Sequence, residues 1–331
     1  MDHTFIDDDA AISLTPLRVQ SGAQPQRACL TLLGDYWVGK RHEIPSATLV
    51  RLVTEFGVTA ASARIALNRL TKRGFLERAK SGRNTSYSLT DGAVAFLEEG
   101  AARILGFGGP YVEWGGQWCC VAFSVPEIER HVRGSLRSRL RFAGFAPLYD
   151  GLWICPRDRA DRALKIITAL QVETATVFNA EVVPGGPNGG APQSAWNLSE
   201  IRSQYDAFIR SHSPARKQLE TGRFSPTQAL VTRHSIVDDW LLLSFADPEL
   251  PDVLLPSRWP RDEARSIMLE VYDGLASLAA ARVRTILSES APGLVEYVSP
   301  RLSQPTVRHG PTDPSPPSLR RDRQARPARD H

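Results

Sequence analysis

The stretch SATLVRLVTEFGVTAASARIALNRLTKRG, residues 46–74, decides how the chain is read. Behind Ser46, a residue suited to capping a helix, Leu49, Val50, Leu52, Val53 and Phe56 recur at helical spacing and make one apolar stripe. Gly57 stops that helix, because glycine takes the left-handed C-cap conformation without the steric cost other residues meet. Val58 follows as a pivot, and Thr59 caps a second helix over 60–73. Two helices joined through such a turn form the helix-turn-helix pattern, whose second helix can lie in the major groove of DNA.

The second helix has two chemically different faces. Ala63, Ala66, Leu67 and Leu70 fall on a core stripe, which leaves Ala61, Arg64, Ile65, Asn68, Thr71 and Lys72 outside. An Arg can pair with guanine through two hydrogen bonds and an Asn with adenine, and a small apolar side chain can touch a thymine methyl. Lys72 and Arg73, near the helix end, suit phosphates. Beyond Gly74 the sequence predicts a strand over 75–79, a turn at Ser81-Gly82-Arg83 and a returning strand over 85–89, with Tyr87 and Leu89 on one face. This hairpin is a wing, and Arg78, Lys80, Arg83 and Asn84 give it the cations and amides that a backbone or minor-groove contact uses. The expected DNA-binding set is therefore Thr59, Ser62, Arg64, Ile65, Asn68, Arg69, Lys72, Arg78, Lys80, Arg83 and Asn84. Between Arg27 and Gly92 there are eleven Lys and Arg against five Asp and Glu, in a chain whose net charge is only +4, so the basic surplus is local to this module.

Outward from it, 331 residues suit two or three domains, and 42% hydrophobic content provides for sizeable cores. No apolar run approaches the roughly 18 residues of a membrane span, and Asp7-Asp8-Asp9 is unlike the basic, apolar start of a signal peptide, so a cytoplasmic protein without an anchor is expected. Cys29, Cys119, Cys120 and Cys155 show no zinc spacing and are expected as buried thiols. Residues 1–25 lack periodicity and are expected to be disordered. Residues 28–37 read as a short helix ended by Gly34, and Asp91 as the cap of a helix over 92–105.

From Trp114 onward the pattern is β-α-β-β-α-β: a strand over 119–125, a helix from Pro126 to Phe142, strands over 146–149 and 152–155, a helix over 159–170 and a strand region over 172–183. That is the ferredoxin-like order, with both helices on one face of a four-stranded sheet and the other face free for a partner. The first of these helices carries Arg130, His131, Arg133, Arg137, Arg139 and Arg141, read as a solvated basic face. Pro184 to Ser194 is a Gly- and Pro-rich linker; helices then follow over 198–212, from Pro226 to about Ser244 and over 262–283. From about Ser299 a Pro- and Arg-rich tail is expected to be disordered. The fold class is thus α+β: an N-terminal winged helix-turn-helix (26–108), a central ferredoxin-like domain (109–184), a linker (185–195), an all-α C-terminal domain (196–298) and a basic tail (299–331).

Several blocks in this order resemble the PaaX-type repressors of phenylacetic acid catabolism: Leu32-Leu33-Gly34-Asp35-Tyr36, the stretch from Leu49 to Leu76, Ser86 to Thr90, Trp114 to Trp118 with Phe123 to Glu127, Gly151 to Pro156, and Leu254-Leu255-Pro256 with Trp259-Pro260. Gly115 stands where the resemblance implies Asp. The resemblance implies a homodimeric transcriptional repressor of an aromatic-acid catabolic operon, bound to double-stranded operator DNA and released by an aryl-CoA thioester such as phenylacetyl-CoA, with no cofactor. The central domain also looks like the small ferredoxin-like, metal-dependent endoribonucleases, which would make a nucleic-acid-processing enzyme with a winged-helix targeting domain. Ser124 stands where those enzymes need an Asp to hold the metal, so no catalytic or metal-binding residue is expected. No phosphate-binding Gly-rich loop, His-Glu-x-x-His or activated nucleophile is present either. Trp114, Trp118, Trp153, Trp196 and Trp259 are expected chiefly in cores, although an aromatic ring beside Arg could also stack a planar anionic ligand.

Overall fold

The computed structural model describes residues 25–37, 39, 42–109, 114–183 and 192–303. The expected disorder of residues 1–24, most of the linker and most of the basic tail fall on residues outside these, while Pro25, expected to be disordered, begins the first helix. The chain opens with α1 (Pro25–Tyr36), β1 (Ile44–Pro45), α2 (Ser46–Thr54), α3 (Ala60–Lys72), the hairpin β2 (Leu76–Ser81) and β3 (Asn84–Leu89), and α4 (Asp91–Gly106). α1 runs through Gly34 instead of ending there, because Asp35 and Tyr36 of its last turn are gripped from another part of the chain. Ser46 is the first residue of α2 rather than its cap; Pro45 holds the cap position without a side-chain hydrogen bond. At α4 the cap is Thr90, one residue before Asp91, its hydroxyl accepting from the Ala93 amide. β1 pairs with β3 and gives the sheet the order β1-β3-β2, an element too short for a periodic pattern to reveal.

The central region has β4 (Gln117–Phe123), α5 (Arg130–Phe142) after a turn of tighter helix, β5 (Ala146–Tyr149), β6 (Leu152–Cys155), α6 (Ala160–Ala169) and β7 (Ala175–Glu181). Its sheet is antiparallel with order β5-β6-β4-β7. Cys119 lies opposite Cys155 and Val121 opposite Trp153, so these four share the face on which Leu136 and Leu140 of α5 and Ala163 of α6 pack. The opposite face, which the sequence reading expected to be free for a partner, is covered. Trp118, Cys120 and Ile154 are covered there by Trp114, Trp196 and Leu254, and Trp196 stacks on Trp118 at 6.2 Å. Burial on both faces is why β4 reads as a continuous apolar run.

The remainder is helical: α7 (Leu198–Glu220), α8 (Pro226–Ala246), α9 (Arg261–Gly274) and α10 (Ala276–Ser290). α7 extends past His212 and carries Pro214 within it. The single helix expected over 262–283 is broken at Leu275, next to Gly274, where a Cβ would meet the Leu219 side chain at 3.1 Å. The sequence reading separates 26–108 from 196–298, yet their apolar side chains form one continuous cluster, from Ala28 and Leu32 through Trp240 to Ile286 and Val298.

Polar groups lock the same seam. Arg233 of α8, fully buried, donates to Asp35 Oδ2 at 3.1 Å, to the Tyr36 hydroxyl at 3.2 Å and to the Tyr272 carbonyl at 3.0 Å. Its last donor meets the Arg301 carbonyl, and its guanidinium lies 3.8 Å above the Tyr272 ring. Burial opposes the charge of Arg233, but Asp35 and the two tyrosines outweigh it and raise its pKa. Around this group lie Arg27 with Asp238, Arg282 with Glu55, and Phe56 stacked on His234 at 3.9 Å. Residues 299–303, expected to begin the disordered tail, dock here too: the Ser299 and Arg301 amides donate to the carbonyls of Tyr36 and Asp35.

Candidate nucleic-acid interface

The second helix of the N-terminal pair, α3, is positioned from its buried side. Ala63, Ala66, Leu67 and Leu70 are at most 1% exposed, which fixes the rotation of the helix and turns Arg64, Ile65, Asn68, Arg69 and Lys72 outward. Ile65, at 52% exposure, is a large apolar side chain facing water. Thr59 caps the helix: its hydroxyl oxygen accepts from the Ser62 amide at 3.2 Å and donates to the Ser62 hydroxyl at 2.9 Å. The first turn contains no acidic residue, so the positive end of the helix dipole is left for an anion, while Arg69 and Lys72 occupy the last turn.

Gly57, at φ +76°, makes the turn between α2 and α3. The hairpin turns at Gly82 and Arg83, closed by the Ser81–Asn84 pair, with Gly82 at φ +60°. Its strands are longer than the sequence predicts by taking in Lys80, Ser81 and Asn84. The register places Leu76 opposite Leu89, Arg78 opposite Tyr87 and Lys80 opposite Thr85. Leu76, Arg78 and Lys80 therefore share one face; it begins in the core at Leu76 and becomes cationic as the hairpin runs out past the helices.

Arg64, Arg69, Lys72, Arg78, Lys80 and Arg83 are all exposed, and none forms an ion pair with a described residue. The other described cations of this region are committed to the fold. Arg27 pairs with Asp238, Arg51 with Glu289, and Arg73, expected at phosphates, bonds Gln26 and lies 5.2 Å from the Phe75 ring centre. The described part of the basic surplus is thus sorted by the fold into structural cations and a free set that lies on α3 and the hairpin. Such a set can neutralise phosphates, and Arg64 and Asn68, one turn apart on the outer face of α3, can present donors to base edges.

Elsewhere the candidates fall as core or as solvated surface. On α5, Arg133 bonds Glu127 and the Val125 carbonyl, Arg137 bonds Asp150, and Arg141 lies over Trp153. Trp118 and Trp153 are 2% and 1% exposed. All four cysteines are buried free thiols; burial pushes Cys29 up to about 12 and Cys155 up to about 11, which leaves them protonated and unreactive. Ser124 follows β4, its amide bonded to the Thr174 carbonyl, and no three His, Cys, Asp or Glu side chains gather as a metal site among the described residues. No described helix is long and apolar enough to cross a membrane.

An α+β chain with an exposed cationic helix and hairpin at one end, a four-stranded central sheet and a helical C-terminal part is the class of protein these elements define. The chain belongs to the PaaX-like protein family: residues 24–93 match the PaaX-like protein model, 111–191 the PaaX protein central Cas2-like domain, and 196–285 the PaaX-like protein C-terminal domain. It is 25% identical over 259 residues to the transcriptional repressor PaaX of Escherichia coli (strain K12), covering 76% of this chain and 81% of that protein. Among solved structures, the uncharacterized protein Rv0674 from Mycobacterium tuberculosis aligns with a TM-score of 0.47 at 20% identity, over 71% of this chain and 89% of the other.

Proposed function

We propose that the protein is a DNA-binding transcriptional regulator, a repressor, and not an enzyme. The observation that carries this reading is the concentration of unpaired cations on one face of α3 and on the adjoining hairpin, while neighbouring cations are consumed in ion pairs. The similarity to a protein named as a transcriptional repressor supports it. On this reading α2 and α3 with the hairpin are a winged helix-turn-helix over 26–108, and the β-α-β-β-α-β unit over 109–184 is a ferredoxin-like domain joined by the 185–195 linker to the helical domain over 196–298. Thr59 and Ser62 hold the α3 N-terminus at a phosphate, Arg64, Ile65 and Asn68 face bases, and Arg69, Lys72, Arg78, Lys80, Arg83 and Asn84 contact the backbone.

One helix in one groove reads too few base pairs to define an operator, so the protein acts as a homodimer on an imperfect inverted repeat. Footprinting with sedimentation of the complex tests this: two protected half-sites and two protein chains per duplex are expected. A single protected half-site bound by a monomer at every concentration would sink the reading.

The effector in this proposal is an aryl-CoA thioester such as phenylacetyl-CoA, acting on a phenylacetate-type catabolic operon. Titrated into the operator complex, the thioester should release DNA while the free aryl acid does not. Linkage fixes the reciprocal: a thioester that weakens operator binding about tenfold itself binds the DNA complex about tenfold more weakly than the free dimer, a coupling of about 1.4 kcal/mol. Equal thioester affinity for free and DNA-bound protein would exclude it as the inducer.

A further inference from the structure

Between α7 and the start of α9 lies a cleft of about 460 Å³, away from α3 and the hairpin. Arg202, Asp206 and Arg210 line it from successive turns of α7, Arg258 and Trp259 from the loop before α9, and Glu263 from the first turn of α9. The buried arginines of this protein are matched to carboxylates, as Arg233 is to Asp35 and Arg261 to Asp247, whereas of the three at the cleft Arg202 is half-buried and Arg210 and Arg258 are exposed. Arg202, Arg210 and Arg258 have no ion pair or side-chain hydrogen bond with any described residue. Arg258 also holds a positive φ of 56°, as Gln171 and Glu249 do at 53°, a conformation that costs a residue with a side chain.

Three guanidiniums without partners around one cleft repel each other and gain from an anion that bridges them, and their planar donors fit phosphate oxygens two at a time. Trp259 offers a half-buried ring in the same wall, a surface on which a flat heterocycle can stack. Asp206 and Glu263 are acceptors only, and with them the six side chains sum to a single positive charge. That balance disfavours a bare inorganic anion and favours a ligand that brings phosphates together with hydroxyl or amino donors. We propose that this cleft binds the phosphorylated adenosine end of a nucleotide-class ligand, and, resting on the effector reading given above, that it is where the CoA part of the thioester docks.

The cleft adjoins the place where all three parts of the chain are tied. Trp259 packs edge-on against Tyr205 at 6.0 Å, and the Tyr205 hydroxyl donates to Asp247 at 2.6 Å. Asp247 also accepts from Arg261 at 2.8 and 3.0 Å and from the Glu249 amide. Glu249 in turn accepts from the Gly108 amide, just beyond α4, and from Arg157 of the central region at 3.0 Å. A ligand that draws Trp259 and the flanking arginines together acts on the connection that sets how the DNA-facing part sits on the rest, which gives the site a route to operator release.

Calorimetric titration of the full-length protein with phenylacetyl-CoA, free CoA and inorganic phosphate tests the assignment. Both CoA compounds should bind the unsubstituted protein and inorganic phosphate should not. The double substitution Arg202→Ala with Arg210→Ala should weaken both CoA compounds about tenfold or more, since each lost guanidinium removes a charge-assisted hydrogen bond. Arg258→Gly, which also relaxes the positive φ, should weaken them in the same direction. Operator affinity without ligand should be unchanged in all variants, and the melting temperature should be unchanged in the double variant, because the Arg202 and Arg210 side chains hold nothing in the fold; Arg258→Gly is compared with the unsubstituted protein only where it remains folded. Unchanged CoA affinity in folded variants overturns the site while leaving the effector reading standing. Arginine-dependent binding of free CoA with no response of the operator complex to the thioester keeps the site and removes the effector. Failure of both CoA compounds to bind the unsubstituted protein overturns both readings, and binding of the thioester without free CoA overturns the site alone.

Discussion

Asp35→Ala should lower the free energy of unfolding by about 3–5 kcal/mol, the cost of leaving one charge of a buried pair without its partner. Arg233 is inaccessible to solvent and Asp35 nearly so, at 9% exposure, so water cannot take over the lost bond without opening the seam. The same substitution also removes the acceptor of the Tyr272 hydroxyl, 2.8 Å from Asp35 Oδ1. Because α1, α8 and α9 meet at these groups, the loss should appear as a shift of the whole urea transition. Pairing the change with Arg233→Met removes the stranded charge and should recover much of the stability, since a buried ion pair is no stronger than well-packed apolar groups in its place. A loss for Asp35→Ala below about 1 kcal/mol, the scale of an exposed pair, would mean that the seam admits water and that Arg233 is not sealed within it.

The location of this pair explains much of what the sequence did and did not reveal. Local features were legible: the four buried residues of α3 follow from helical spacing, Gly57 and Gly82 take the positive φ their turns require, and the β-α-β-β-α-β order follows from alternating apolar patterns. Contacts across some 200 positions were not. Nothing near Gly34 announces that Arg233 will hold Asp35 and Tyr36 in a continuing helix, and nothing near Ser299 announces that its amide will bond the Tyr36 carbonyl. Gly274, beside the break at Leu275, is packed by Leu219 from another helix, a contact no local pattern shows. The same limit governs the two ligand surfaces. The outer face of α3 is a local property of one helix and could be read, although its separation from Arg27 and Arg73 required knowing who pairs with whom. The cleft joins Arg202 and Arg210, which look like any solvated helix face, to Arg258 and Trp259 in what reads as a Pro-pinned connection, and only the packing of α7 on α9 brings them together.

Substitutions on α3 and the hairpin, the two elements proposed to face DNA, should separate into distinct behaviours. Arg64→Ala and Asn68→Ala should each cost about 1–3 kcal/mol on the operator and leave non-specific affinity nearly intact, because a base-edge contact has a counterpart only on the right sequence. Their positions favour this outcome: both are exposed on the face of α3 opposite Ala63, Ala66 and Leu70, and neither side chain is hydrogen-bonded or ion-paired to a described residue. Arg83→Ala should act otherwise. It sits in the two-residue turn of the hairpin, beyond the last pair of the ladder, where a guanidinium reaches phosphates more readily than base edges. Its loss should weaken every DNA sequence by a similar factor and reduce the slope of log affinity against log salt by about 0.9, the release of one condensed counterion. Binding isotherms on operator and scrambled duplexes across a salt series measure both quantities together. If all three variants lost affinity uniformly with the same change in slope, α3 would be holding the backbone rather than reading bases, and sequence recognition would have to be assigned to other residues.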